Sequence, residues 1–194
     1  MNDIISLLKE SGAMLEGHFL LSSGRHSDRY FQCARLMQYP DKNAAALEDI
    51  VRQIKEDMAS GKLKIDYVAG PAMGAIILAY EFARQLGLPT VFTERDDKGV
   101  MQLRRFDIKP GTRFLIAEDA VTTGKSVGES AAALEAHGGI VSAMACIVDR
   151  RLPGQEISWP FYSAVKVDAV NWDPADCPLC RQGIPAIKPG SRKM

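Results

Sequence analysis

Apolar positions fall along this chain in two rhythms. Leu47, Ile50, Val51, Ile54 and Met58 recur at three-, four- and seven-residue steps, which predicts a one-sided helix stopped by Gly61. Ile4, Leu7 and Leu8 predict a shorter amphipathic helix ended by Gly12. Short apolar runs at 66–70, 90–93, 114–117 and 140–148 predict buried strands, and 163–170 alternates enough for a last one. After the first of these, Pro71-Ala72-Met73-Gly74 turns into a helix with Ile76, Ile77, Tyr80 and Ala83 inward, ended by Gly87 before Pro89. A further helix over 126–137 runs to Gly138-Gly139. Its start fits a capping box, with Ser126 as cap and Glu129 reaching back. Strand and helix alternate from 45 to 148, the pattern of right-handed crossovers and a parallel sheet covered on both faces. Loops that hold ligands in such sheets sit at the carboxyl ends of the strands. Ahead of this region, residues 17–31 read as a β-hairpin turning at Ser23-Gly24.

Composition narrows the options. At 194 residues the chain suits one domain, 1–194, with a core of about 41–170 under a hood made from about 1–40 and the C-terminal tail. Apolar residues make up 46%, enough for a core, and the net charge of zero argues against bulk attraction to nucleic acid or acidic membranes. No apolar run approaches the roughly 20 residues that span a bilayer. Met1-Asn2-Asp3 lacks the basic start of a signal peptide, so the expected location is the cytoplasm. Cys33, Cys146, Cys177 and Cys180 are too few and scattered for a disulfide framework. Cys177-Pro178-Leu179-Cys180 has metal or redox spacing, but zinc needs two more ligands and no nearby pair or His follows.

The chemistry concentrates in residues 113–126. An apolar strand leads to Glu118 and Asp119, then to a turn through Thr122, Thr123 and Gly124, then to a helix start. A loop entering a helix offers unpaired N–H groups and the positive end of the helix dipole, which suits phosphate. Two acids beside a phosphate cradle suit a ligand that also carries hydroxyls, such as a ribose 5-phosphate. No Walker A loop is present. Farther back, Tyr30 and Phe31 could stack on a flat base.

The 113–126 stretch resembles the phosphoribosyl-pyrophosphate (PRPP) motif of type I phosphoribosyltransferases. The run from Gly17 to Tyr30, G-H-F-L-L-S-S-G-R-H-S-D-R-Y, is similar to the N-terminal signature of the orotate enzymes within that group. The resemblance spans nearly the whole chain. It implies an α/β type I phosphoribosyltransferase fold that transfers the phosphoribosyl group of PRPP to orotate. The products would be orotidine 5′-monophosphate and pyrophosphate, in de novo pyrimidine synthesis. The alternatives are a purine phosphoribosyltransferase, which lacks the 17–31 signature, and a non-catalytic PRPP-binding regulator. The latter usually carries a DNA-binding segment.

The resemblance also assigns roles. PRPP falls to Glu118, Asp119, Ala120, Val121, Thr122, Thr123, Gly124, Lys125 and Ser126, with Arg95, Lys98 and Arg104 from a flexible loop over 94–105. Lys98 and Asp119 are the catalytic candidates. Orotate falls to Thr122, Arg150, Tyr30 and Phe31, and residues 71–74 become the pyrophosphate loop. Mg²⁺ is expected as cofactor, bound mainly through PRPP and with no direct protein ligand. A homodimer is expected, with the loop reaching into the neighbouring subunit. Some members carry lysine where this chain has Ser22 and Gly74, and an Arg-Lys pair where it has Glu94-Arg95. Arg104 and Arg105 match a subgroup with an L-R-R stretch. The tail from Pro185 through Pro189-Gly190-Ser191-Arg192 resembles one subgroup of the orotate enzymes.

Overall fold

A computed structural model describes residues 3–21, 23–152, 154–168 and 170–189. In chain order its elements are α1 (Ile4–Glu10), β1 (Met14–Leu20), β2 (His26–Phe31), α2 (Ala34–Met37), α3 (Pro40–Ala59), β3 (Tyr67–Pro71) and α4 (Ile76–Leu86). They continue with β4 (Thr90–Arg95), β5 (Met101–Gln102), β6 (Arg113–Val121), α5 (Lys125–Glu135), β7 (Ile140–Asp149), β8 (Phe161–Lys166) and α6 (Pro178–Arg181).

Six strands form the central sheet in the order β5-β4-β3-β6-β7-β8, parallel except for the short edge strand β5. The strands at its centre carry continuous apolar runs because both faces are covered. On one face Leu47, Ile50, Val51 and Ile54 of α3 join Leu78 and Phe82 of α4. On the other, Val127, Ala131 and Leu134 of α5 pack on Phe114, Ile116 and Met144. At the amino end of the sheet the Arg113 guanidinium grips Asp66 at 2.7 and 2.8 Å and holds that carboxyl down at about 2. The carboxyl end is left to the loops.

β1 and β2 form a separate two-stranded sheet. The tail lies along it through two backbone bridges, Phe19 with Ile187 and His26 with Trp172.

Three expectations change. α4 buries Leu78, Ala79, Phe82 and Ala83, whereas Ile77 and Tyr80 are 55% and 61% exposed. The helix seats on Gly70, where an added Cβ would lie 2.6 Å from the Ala75 oxygen and 2.8 Å from the Ala79 Cβ. That contact fixes the rotation of a helix whose apolar residues surround it. α5 begins at Lys125, capped by Gly124 in the left-handed conformation (φ 72°) and by no side chain. Ser126 is therefore not a cap, and Glu129 turns to Arg95 and Lys125. The last strand runs over Phe161–Lys166, earlier than the 163–170 expected, because it follows β7 in register from Met144↔Phe161 to Asp149↔Lys166. Among the described residues no helix is long and apolar enough to cross a membrane.

Candidate active site

β3, β6 and β7 end side by side, and their loops meet. Glu118 and Asp119 lie near the carboxyl end of β6, half-buried. Glu118 Oε1 accepts from the Asp119 N–H at 3.1 Å, and Asp119 Oδ1 from the Ala120 N–H at 2.8 Å. Among the described residues, neither carboxyl has a cation against it. Burial and the charge of Asp119 push the Glu118 carboxyl up to about 8, and burial raises Asp119 as well. The site thus holds acidic oxygens that await a partner.

Beyond them the chain folds round a cavity of about 70 Å³, lined by Glu118 and residues 120–127. Thr122 and Thr123 are exposed at its rim. Gly124 supplies the left-handed turn into α5, a conformation that disfavours a side chain. With no side-chain cap on α5, its first N–H groups face this cavity, as an anion site requires. Thr123 Oγ1 makes one long contact, accepting from the Lys125 N–H at 3.4 Å.

The 71–74 loop comes up beside the acids. A Cβ at Gly74 would lie 3.8 Å from Asp119 Oδ2. The Ala72–Met73 peptide bond is cis. The Ala72 N–H donates to the Thr93 oxygen at 2.6 Å, which ties this loop to β4.

Arg150 follows β7. Its N–H donates to the Val121 oxygen at 2.8 Å, extending the β6–β7 ladder and setting Arg150 next to Thr122. Its guanidinium lies 5.1 Å from the centre of the Phe31 ring. Burial pulls its pKa down, and its Nε is buried with no hydrogen-bond partner among the described residues. Neighbouring Arg151 is different, because it is locked on Asp149 at 2.9 and 3.0 Å. Arg151 is thus the structural arginine and Arg150 the available one. Phe31 is only 9% exposed, with one ring face under Arg150, so it serves as a shelf for the guanidinium more than as a bare surface for a base. Tyr30 is half-buried and packs on Phe19 with ring centres 5.8 Å apart.

The basic loop is a hairpin of β4 and β5. Lys98 stands exposed at its tip, where Asp96 Oδ1 accepts from the N–H groups of Lys98 and Val100 at 2.9 Å each. Arg95 is committed to Glu129 and to the Gly99 oxygen. Glu94, where the resemblance leads one to expect a cation, takes Arg105 at 2.8 and 3.4 Å. That pairing accounts for the departure, since Glu94 and Arg105 answer each other across the hairpin. Arg104 is exposed. So Glu118 to Ser126, residues 71–74 and Arg150 form one site, whereas Lys98, Arg95 and Arg104 lie on a hairpin along the flank of α5. Ser22 and the 190–194 end of the tail lie outside the described residues.

The mostly parallel sheet, with a half-buried acid pair and a Thr/Gly loop at the end of β6, has the architecture of a type I phosphoribosyltransferase. The family model described as the phosphoribosyl transferase domain matches residues 38–180, and the chain belongs to that family. Its subgroup is the orotate phosphoribosyltransferases. A curated orotate phosphoribosyltransferase of Heliobacterium modesticaldum is 45% identical over 192 residues, covering 98% of each chain. The solved structure of orotate phosphoribosyltransferase from Aeropyrum pernix matches with a TM-score of 0.70 at 28% identity, over 84% of this chain and 93% of that one. Leishmania donovani UMP synthase shares the fold, with a TM-score of 0.68 at 24% identity over 85% of this chain and 36% of that one.

Proposed function

We propose that the loops at the ends of β3, β6 and β7 carry out phosphoribosyl transfer from PRPP to orotate, the step that forms orotidine 5′-monophosphate in pyrimidine synthesis. The relative at 45% identity is named for this activity. The observation that supports it best within the fold is Arg150. A partly buried guanidinium whose Nε finds no partner among the described residues, beside the 122–126 loop, suits an anionic second substrate. Orotate carries a carboxylate, whereas adenine, hypoxanthine and uracil do not.

In this reading the N–H groups and hydroxyls of 122–126 hold the 5′-phosphate, Glu118 and Asp119 accept from the ribose hydroxyls, and residues 71–74 face the pyrophosphate. Thr122 and Arg150 orient orotate, with Tyr30 alongside and Phe31 beneath the guanidinium. A ring nitrogen of the orotate anion forms the bond to ribose C1 as the bond from C1 to the pyrophosphate oxygen breaks. Positive charge grows on the ribose in between, and the acidic oxygens of Glu118 and Asp119 lie where they would stabilise it. Lys98 and Arg104 would close over the leaving pyrophosphate and exclude water. Mg²⁺ fits here because the half-buried acids lack any cation. It would be held mainly through PRPP. When bound, the ion supplies positive charge to the leaving group.

We also assign the chain to the cytoplasm and to a homodimer. Met73, Ile77 and Tyr80 are 85%, 55% and 61% exposed on the outer side of α4 and its leading loop, an apolar strip suited to a second copy. The N-terminal 40 residues and the tail act as the hood over a core of about 41–170.

The test is an absorbance assay of orotate consumption with PRPP and Mg²⁺, run beside hypoxanthine, adenine and uracil. Orotate loss matched by pyrophosphate release is expected, with no turnover of the other bases. PRPP binding with no turnover of any base would instead identify a regulator.

A further inference from the structure

The tail motif Cys177-Pro178-Leu179-Cys180 lacks two ligands in its own neighbourhood, and the fold supplies them from the other end of the chain. His18 lies on β1 and His26 opens β2, across the hairpin from one another. Both rings point to the cysteine pair. The ligating atoms of His18, His26, Cys177 and Cys180 all lie within 4.8 Å of one another. His18 Nε2 is 2.8 Å from His26 Nδ1 and 3.4 Å from Cys177 Sγ. Cys180 Sγ is 3.3 Å from His26 Nδ1 and 3.8 Å from His18 Nε2.

These distances are close to the edges of a tetrahedron. Zinc bonds of about 2.0–2.1 Å to nitrogen and about 2.3 Å to sulfur give ligand–ligand edges of about 3.3–3.8 Å. Only the contact between the histidines is shorter, and a few tenths of an ångström would open it. We propose that His18, His26, Cys177 and Cys180 bind one structural Zn²⁺ that fastens the C-terminal tail to the N-terminal hairpin.

Several features show a built site. His18, His26 and Cys177 are 2%, 8% and 0% exposed, a costly burial for polar groups unless they share a partner. Both cysteines are free thiols. The Ile184 oxygen accepts from His18 Nδ1 at 2.7 Å, which fixes the tautomer and turns the Nε2 lone pair into the cluster. Backbone bridges hold the tail on either side, with His26 and Trp172 exchanging bonds at 2.9 Å and the Ile187 N–H donating to the His18 oxygen at 2.8 Å. Two thiolates, two neutral imidazoles and one divalent ion sum to zero charge, which suits burial. Zinc is the natural occupant of a tetrahedral S₂N₂ set, and four protein ligands leave no open position for catalysis. Each thiol releases its proton to solvent as the metal binds. The staple holds β2, which runs on to Tyr30 and to the Phe31 shelf under Arg150.

The experiment is metal analysis of the untagged full chain, purified without chelator from zinc-supplemented medium. About one zinc per chain is expected. X-ray absorption at the zinc edge should give two sulfur and two nitrogen ligands. Exchange with Co²⁺ should give the ligand-field bands of a tetrahedral thiolate site. Cys180 is exposed, so Cys180→Ser should fold and lose most of the zinc. Limited proteolysis should then cut the tail at least tenfold faster than in the zinc-loaded chain. Zinc-free protein that takes up neither Zn²⁺ nor Co²⁺ would overturn the proposal. So would undiminished zinc in Cys180→Ser, or a Cys177–Cys180 disulfide in fresh protein. None of these readouts depends on orotate turnover.

Discussion

Glu118 and Asp119 stand together at the end of β6 with no cation between them, and their charge state follows from that. With its carboxyl pushed up to about 8, folded Glu118 keeps a proton that the unfolded chain releases at ordinary carboxylate pH. The stability this proton contributes is complete at low pH and is lost as pH rises to about 8, because deprotonation leaves an uncompensated charge in the fold. The melting temperature of the ligand-free protein should therefore fall between pH 5.5 and 8.5. In Glu118→Gln that decline should flatten, leaving the variant several degrees more stable than the parent at pH 8.5, at about 2–4 °C per kcal/mol for a chain of this size. A slope unchanged in the variant would place the titration elsewhere. Arg150 presents the opposite case, a cation without an anion. Arg150→Gln removes charge-assisted bonds of about 1.5–3 kcal/mol, so KM for orotate should rise about 10- to 100-fold with KM for PRPP nearly unchanged in steady-state assays. The acids and the Thr/Gly turn were legible in the sequence because their chemistry is local. The place of Phe31 was not, since an aromatic ring suits a flat base and a guanidinium equally, and only the fold lays Arg150 across it.

At the scale of elements, the seat of α4 on β3 sets the position of the 71–74 loop, proposed above to face pyrophosphate. Gly70 has Ala75 and Ala79 where a side chain would go, and Asp119 lies a short step beyond Gly74. Gly70→Ala would push α4 off the sheet, since the nearest atoms are backbone oxygen and a helix methyl group rather than a flexible side chain. A loss of about 1–3 kcal/mol in urea unfolding is expected, with a PRPP affinity that falls further than the stability change alone explains. Unaltered PRPP binding would uncouple the loop from the helix seat. The alternation of strands and helices was readable because buried parallel strands carry unbroken apolar runs. The face of α4 was not, because Ile76, Ile77, Leu78, Ala79 and Tyr80 offer apolar side chains in nearly every direction, and a glycine one strand away decides which of them turn inward. The cap of α5 escapes the sequence for a related reason. Ser126 and Glu129 have capping-box spacing, but Arg95 from β4 claims Glu129, a partner that local spacing cannot reveal. The cysteine pair lacked ligands for the same cause, as His18 and His26 lie about 150 residues earlier and come near only through the hairpin and tail.

At the scale of the whole molecule, the homodimer proposed above makes a distinct prediction about which subunit supplies Lys98 to which site. The hairpin that carries it lies along the flank of α5, while the cavity proposed to hold the 5′-phosphate opens at the amino end of that helix. The exposed apolar strip of Met73, Ile77 and Tyr80, which begins in the 71–74 loop, is the face proposed to meet the second copy. Lys98→Ala should cut kcat by about a hundredfold or more with little change in PRPP affinity, because it removes charge stabilisation that matters chiefly as pyrophosphate leaves. Asp119→Asn should weaken PRPP and leave cooperative unfolding intact. Mixing the two variants separates the arrangements. If Lys98 acts across the interface, a mixed dimer contains one site with both defects and one with neither. Random exchange makes half the dimers mixed, so activity should recover to about a quarter of the native value. If Lys98 acts within its own chain, every site in every dimer keeps one defect and mixing restores nothing. Tyr80→Asp, which sets a charge in the apolar strip, should abolish the recovery by preventing dimer formation, and light scattering on the same samples would show whether dimers were present.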